Sequence, residues 1–464
     1  MKSKLIEEAN HYDLIIIGGG PGGYVAAEHA GKHNLKTLVI EKESLGGVCL
    51  NKGCIPTKTL LKSAKVLHYL KDAKHYGINI EGNNEFSLDW KAMQENKKEV
   101  VDKLVSGVKF IIQNAKAKLI EGTAAMVSDH IVEVNGEKYY GEKIILATGS
   151  LPRELDLPGF KEAKTKGIII DSTDALELNK IPKKLTVIGG GVIGIEFALL
   201  YCELGTEVTI LQGLDRILEV LDNEISKTMT QILTSKGIKI VTNVKIKSIN
   251  DKTLSYELDG KTIEKIVDKV LVSVGRVPRY DAFKKIDLVY DERNRIVVNK
   301  NLQTSKGHIY AIGDLTQKLM LAHVAYKHAM IAVDHILGKD TPYHLIESPS
   351  VIYTYPEVAS IGIIERDMNP NESFVTKMPM SHLGKALADH ETDGFIKMIL
   401  DKQTGRIIGC HIIASTASDL ISEIAVAMQS EATVFDLAAT IHPHPSISEI
   451  IYEVAKKALY ENYK

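Results

Sequence analysis

Cysteine is scarce in this chain, with four in 464 residues, at positions 49, 54, 202 and 410. So few in so long a chain exclude a disulfide scaffold, and in a reducing compartment any disulfide among them is expected to be catalytic and not structural. Neither charge sign is in excess: 57 basic and 59 acidic side chains give a formal net charge of -2 and are scattered along the chain. That balance excludes the basic blocks that collect nucleic acid or anionic lipid. Met1 to Asp13 has no apolar core of signal-peptide length, so a cytoplasmic protein is expected. One stretch, Leu185 to Cys202, is apolar enough to suggest a membrane span. Its Gly189, Gly190, Gly191 and Gly194, with Glu196 at the centre, fit a buried strand, turn and helix better.

What is present is ordinary globular material, 44% hydrophobic and 25% charged, of a length that suggests about three domains. Two segments follow one plan: Tyr12-Asp-Leu-Ile-Ile-Ile-Gly-Gly-Gly-Pro-Gly-Gly23 and Leu185-Thr-Val-Ile-Gly-Gly-Gly-Val-Ile-Gly194. Each is a short apolar run, then glycines, then a helical pattern, then a second strand, Thr37 to Glu41 in one and Glu207 to Leu211 in the other. This is a β-α-β unit occurring twice, and it implies two bound dinucleotides. Lys91 to Lys118 has the spacing of a long helix, and Leu119 to Leu146 alternates like a small antiparallel sheet. Changes of texture near Pro152/Pro158, Val274 to Pro278 and Thr341-Pro342 read as boundaries. The expected fold class is α/β, with two Rossmann-like dinucleotide-binding domains at 1–150 and 151–275, a central domain at 276–345 and a C-terminal α+β domain at 346–464.

In the first unit Gly18, Gly20 and Gly23 satisfy G-x-G-x-x-G, with Glu41 at the end of the second strand. The glycines allow a tight turn, close approach of a pyrophosphate and close helix packing, and the carboxylate accepts from a ribose hydroxyl. The second unit repeats the glycines as Gly189, Gly191 and Gly194, but the position matching Glu41 is Gln212. An amide can still bond a ribose hydroxyl, and no arginine stands immediately beside it for a 2'-phosphate, so NAD is favoured over NADP.

Cys49 and Cys54 lie just after the first unit's acidic residue. On an ideal helix their Cα atoms would be roughly 8.6 Å apart, beyond the about 7 Å that a disulfide spans. A disulfide here requires a distorted helix start, for which Gly46, Gly47, Gly53 and Pro56 supply the means. The alternatives are two buried thiols or half of a metal site, but no second cysteine pair or nearby histidine completes a ligand set, and no metal is expected. Cys202 and Cys410 stand alone in apolar segments and read as core thiols.

Taken with Ala147-Thr-Gly149, the second dinucleotide unit, Val274-Gly275-Arg276, Ile309-Tyr-Ala-Ile-Gly-Asp314, Leu321-Ala322-His323 and His442-Pro-His-Pro-Ser-Ile-Ser-Glu449, the segment Cys49-Leu-Asn-Lys-Gly-Cys-Ile-Pro-Thr-Lys58 resembles the pyridine nucleotide-disulfide oxidoreductases. Nearly the whole chain is covered, and the cysteine segment is most similar to the lipoamide-oxidising branch. The resemblance implies that Gly18, Gly20, Gly23, Glu41, Lys58, Gly149, Asp314 and Ala322 hold FAD. It implies that Gly189, Gly191, Gly194, Glu196, Gln212 and Gly275 hold NAD, and that residues 346–464 form the interface of a homodimer. Without their motifs, Lys58, Glu196 and Asp314 would read as a solvated charge, a helix-end residue and a turn residue.

A dithiol must lose protons before it attacks a disulfide. His444 is the candidate base, with Glu449 orienting it, as a carboxylate supports histidine in a catalytic triad. The resemblance implies oxidation of dihydrolipoamide through Cys49 and Cys54, with NAD reduced. The lipoyl arm would be brought by an acyltransferase or a glycine-cleavage carrier protein, since no lipoyl-type domain precedes Tyr12. Alternatives are a glutathione-type or mercuric reductase of the same family and a non-catalytic flavoprotein docking partner. Ile55-Pro-Thr-Lys58 and the His442-Pro-His444 pair favour lipoamide, and no cysteine pair follows Cys410, as a mercuric reductase would have.

Overall fold

The structure is a computed structural model that describes residues 7–80, 87–316, 319–339 and 348–463. The chain divides into two compact units: Met1–Leu60, Lys91–Arg153 and Gly275–Tyr343 form one, and Leu61–Trp90, Glu154–Val274 and His344–Lys464 form the other.

The first unit is built on a parallel sheet. Strand His11–Ile17 lies between Thr37–Glu41 and the last residues of Glu137–Leu146, with Ile17 opposite both Ile40 and Leu146. Ile309–Ala311 extends the sheet on one side and Lys118–Glu121 on the other, both parallel. Parallel strands buried on both faces need continuous apolar runs, which is what Leu14–Ile17 and Leu38–Ile40 provide. Each glycine turn therefore sits at the carboxyl end of a buried strand, where α/β sheets bind ligands.

The antiparallel reading of Leu119 to Leu146 holds only in part. Lys118–Glu121 joins the parallel sheet, and only Ala125–Ser128, Ile131–Val134 and the first half of Glu137–Leu146 form an antiparallel meander. Alternation reports which face a side chain takes, not which strand is its partner. The long strand changes partners at Gly141, where an added Cβ would stand 3.0 Å from the Ile15 side chain. The expected long helix runs Trp90–Asn114.

In the second unit, five parallel strands lie in the order Lys239–Val241, Glu207–Leu211, Lys184–Ile188, Lys269–Val272, Ile169–Ile170. A separate three-stranded antiparallel sheet covers Lys245–Ile266. The C-terminal part is the α+β arrangement expected. Five antiparallel strands pack against helices Ala417–Gln429 and Glu449–Asn462. Its expected start, at 346, lies outside the described residues. Lys397 on this sheet is wholly buried, with its ammonium bonded to Asp222 at 2.9 Å, to Glu224 at 3.1 Å and to Glu365. Leu185 to Cys202 resolves into strand Lys184–Ile188 and helix Val192–Glu203. Among the described residues no helix is long and apolar enough to cross a membrane.

Candidate active site

The three glycines of the first turn do three different things. Gly18 has φ +110°, which only glycine adopts freely. An added Cβ at Gly23 would lie 1.8 Å from the Gly18 carbonyl oxygen, so glycine there lets helix Pro21–Lys32 close onto the turn. Over Gly20 the space is open except for Gly47. The Gly20 backbone at the N-terminus of this helix is thus left exposed for a phosphate, whose charge the helix dipole favours. Glu41 closes the turn from the next strand: its carboxylate accepts from Gly19 N–H at 2.6 Å and from Glu43 N–H at 2.7 Å. These residues fit the FAD that the motif implies.

A second wall comes from residues far away in sequence. Ser150 Oγ donates to the Asp314 carboxylate, and Arg276 donates from Nε to Ser150 Oγ at 2.7 Å and from Nη2 to the Ser150 carbonyl at 2.8 Å. Asp314 is therefore the end of a chain that runs Arg276, Ser150, Asp314. Gly313 N–H donates to Nδ1 of the buried His328, pinning the same turn from helix Ala322–Ile336. Gly149, at φ +68°, faces open space, and Ala322 is the first residue of its helix. Gly149, Asp314 and Ala322 were expected here from the sequence; Ser150, Arg276 and His328 were not. Arg276 and Ser150 stand inside quoted motifs, but their pairing spans 126 residues and has no local signal.

The cysteines lie on the first turn. Gly46 N–H donates to the Gly19 carbonyl at 2.8 Å, and Gly46 and Gly47 take φ +85° and +57°, angles that start the short helix Gly47–Lys52. That helix stops at Gly53, and Cys54 begins a new one, Cys54–Lys71. The interruption is the distortion that the spacing demanded, and it leaves the two free thiols near enough for each to act on the other's ionisation. The Cys54 hydrogen bond, then burial, raise the Cys49 thiol far above its usual value, while the nearby Lys58 ammonium opposes them. Two tyrosines that sequence reading missed stand in the field of both sulfurs. Tyr24 donates to Tyr326 Oη at 2.9 Å, and burial first, then this bond, push the Tyr24 phenol far up, so both phenols stay neutral donors. Tyr24 follows Gly23 directly, which is the one sequence signal that was available.

The second unit reproduces the glycine geometry. Gly189 has φ +105°, Gly191 faces open space, and a Cβ at Gly194 would stand 2.2 Å from the Gly189 carbonyl. Gln212 occupies the place of Glu41: its Oε1 accepts from Gly190 N–H at 2.9 Å, as Glu41 accepts from Gly19. Its Nε2 donates to the Arg216 carbonyl at 3.1 Å, so the amide is held at both ends. Glu196 is buried inside helix Val192–Glu203, with Oε1 accepting from Tyr353 N–H at 2.9 Å. Gly275 groups with the first unit and accepts from Arg153 N–H at 3.0 Å.

At the C-terminus His444 Nδ1 is 2.8 Å from Glu449 Oε1, and Glu449 Oε2 accepts from Ser446 N–H at 2.8 Å. Glu449 opens helix Glu449–Asn462, where the dipole favours an anion. The Ser446 N–H and then His444 hold its carboxyl below the usual range. His444 itself is 79% exposed, leaving Nε2 presented outward. His442 is turned the other way, buried against Glu423 at 2.9 Å. Ile441, next to His442 in the chain, is an apolar side chain 95% exposed.

The chain matches the family model described as "Pyridine nucleotide-disulphide oxidoreductase" over residues 12–329 and that family's dimerisation domain over 348–455. It is 53% identical to a dihydrolipoyl dehydrogenase of Mycoplasma pneumoniae, covering 98% of this chain and 100% of the relative. A Bacillus subtilis protein of the same name is 40% identical, covering 97% and 98%. Among solved structures, LpdA from Mycobacterium tuberculosis superposes with a TM-score of 0.86 at 26% identity, over 96% of this chain and 99% of that one. The HOCl-induced flavoprotein disulfide reductase RclA from Escherichia coli superposes with a TM-score of 0.84, also at 26% identity, over 96% and 99%. The dimerisation domain makes the protein a homodimer, and FAD and NAD are its cofactors. With its two glycine turns, its cysteine pair and both family domains in order, the chain belongs to the pyridine nucleotide-disulphide oxidoreductases.

Proposed function

We infer that the chain oxidises dihydrolipoamide to lipoamide through the Cys49/Cys54 pair and reduces NAD+. The observation that carries this reading is the pair itself: two neighbouring thiols at a helix break that is seated on the first glycine turn. Full-length relatives named dihydrolipoyl dehydrogenase give the substrate class.

His444 takes the proton from one substrate thiol, and the thiolate attacks Cys49 Sγ, breaking the Cys49–Cys54 bond and forming a mixed disulfide. The second substrate sulfur then attacks the first, closing lipoamide and releasing Cys49, so the substrate loses two electrons and the pair gains them. Glu449 keeps the His444 proton on Nδ1 and steadies the imidazolium that forms on Nε2. FAD supplies the two-electron relay from the dithiol to NAD+ when bound. Cys54 would pass the electrons to it, Lys58 favours thiolate at the pair, and the Arg276–Ser150–Asp314 chain would help to hold it. His444 serves the cysteine pair of the partner subunit, in keeping with its exposure in one protomer. Glu196 and Gln212 would hold NAD, Gln212 standing at the second glycine turn as Glu41 stands at the first. The lipoyl group arrives on an acyltransferase domain or a glycine-cleavage carrier in the cytoplasm.

A steady-state assay crossing dihydrolipoamide and glutathione with NAD and NADP tests this reading. Turnover fastest with dihydrolipoamide and NAD+ is expected. Preferential turnover of glutathione disulfide with NADPH would replace it.

A further inference from the structure

We propose that the first unit carries a divalent transition-metal site made by His29, His33 and Asp334. One donor atom from each lies within 4.8 Å of the others, on two helices. His29 and His33 are one helical turn apart at the end of Pro21–Lys32, the i, i+4 spacing that puts two imidazoles on one face. Asp334, 305 residues from His29, comes from the last turn of Ala322–Ile336 and places Oδ1 2.7 Å from His29 Nε2. Its separation in sequence hides the set from motif reading.

Three features make this more than a chance meeting. The donors are two imidazoles and one carboxylate, which suits zinc and its borderline neighbours over calcium or magnesium. His33 caps the C-terminus of one helix and Asp334 lies in the last turn of the other, so two negative dipole ends converge on the space. A cation already exploits that potential: the Lys339 ammonium stands 3.3 Å from His33 Nε2. Lys339 is exposed, so its side chain can swing into water and leave the position to a metal.

Tetrahedral zinc with bonds of about 2.0–2.1 Å needs donors roughly 3.3 Å apart. The His29–Asp334 contact must open slightly and the His33 ring close in, movements within reach of side-chain rotation; water fills the fourth position. Bound metal would tie together the C-terminal ends of the two helices whose N-terminal ends carry Gly20 and Ala322 of the FAD cradle.

The test is calorimetric titration of Zn2+ into oxidised, FAD-loaded enzyme freed of metal by a chelator, with the Cys49/Cys54 pair closed so that thiols do not compete. One saturable event per chain is expected. It should weaken at least tenfold in His33→Ala and in Asp334→Asn, strengthen in Lys339→Ala, and be accompanied by a zinc-dependent rise in Tm in the wild type and in Lys339→Ala that is lost in the other two variants. His33 is exposed, so His33→Ala should melt with the wild type when chelator is present. Absence of a saturable event, or one equal in wild type and His33→Ala, overturns the proposal. Zinc held instead around His444 and Glu449 would give that second result.

Discussion

Replacing Glu449 should show that an orienting carboxylate does more than occupy space. In Glu449→Gln the Ser446 N–H, 2.8 Å from Oε2, holds the amide oxygen, which leaves the amide NH2 facing His444 Nδ1 across 2.8 Å. An N–H pointing at Nδ1 demands a lone pair there and moves the ring proton to Nε2, the atom that must accept from substrate. Glu449→Ala merely frees the ring. Losing a charge-assisted hydrogen bond costs about 1.5 kcal/mol at the exposed end of the range, so Glu449→Ala should lose about tenfold in kcat/KM for dihydrolipoamide. The wrong tautomer is stabilised by a further neutral hydrogen bond of about 0.5–1.5 kcal/mol, which puts Glu449→Gln another ~2- to 10-fold lower. His444→Ala sets the floor, about 10²- to 10⁴-fold below wild type. The control is NADH oxidation by ferricyanide, which bypasses the dithiol step and should stay within twofold. A Glu449→Gln enzyme as active as Glu449→Ala, or an equal fall in ferricyanide reduction, refutes the tautomer argument.

Three further outcomes follow from the structure. Burial opposes ionisation of Asp222 and Glu224, yet lysine hydrogen bonds hold both carboxyls below their usual values, so their stabilisation is present above the ordinary carboxylate range and lost as pH falls through the lowered values. Lys397→Met leaves three carboxylates without their buried cation, a loss of about 3–5 kcal/mol at pH 7 that should shrink toward pH 5 as the carboxylates take up protons, read as Tm against pH. Ser150→Ala cuts the link between Arg276 and Asp314, and FAD should dissociate at least tenfold more readily, measured by flavin fluorescence on dilution. In Gln212→Glu one carboxylate oxygen would meet the Arg216 carbonyl, turn away and face the ribose site, so kcat/KM with NADP+ should fall at least tenfold relative to NAD+.

The parts legible in the sequence are those whose cause is local. Gly18 and Gly23 announce their turn because one needs an angle and the other a clearance that only glycine gives, and strands Thr37–Glu41 and Glu207–Leu211 announce themselves as apolar runs. The helix break at Gly53 followed from the reach of a disulfide set against helical geometry. Partner choice was not legible: nothing in Lys118–Glu121 says that it pairs parallel with Thr37–Glu41 across more than 70 residues. Ser150 beside Asp314, Tyr24 beside Tyr326 and Lys397 among its three carboxylates were hidden for the same reason, since long-range polar contacts leave no periodicity. Gln212 was read as a departure from the usual acidic residue, still able to bond a ribose hydroxyl of NAD. Its bond to Gly190 shows that the residue in this place also ties the strand end to the glycine turn, which an amide does as well as a carboxylate.

The central claim is that substrate electrons enter through Cys49 and Cys54. Mixing oxidised, FAD-loaded enzyme anaerobically with one equivalent of dihydrolipoamide, without NAD+, and counting thiols after rapid removal of small molecules tests it directly. Wild type should gain two titratable thiols per chain and release one equivalent of lipoamide, and Cys49→Ser should do neither. Lipoamide formation at an undiminished rate by Cys49→Ser would contradict the account.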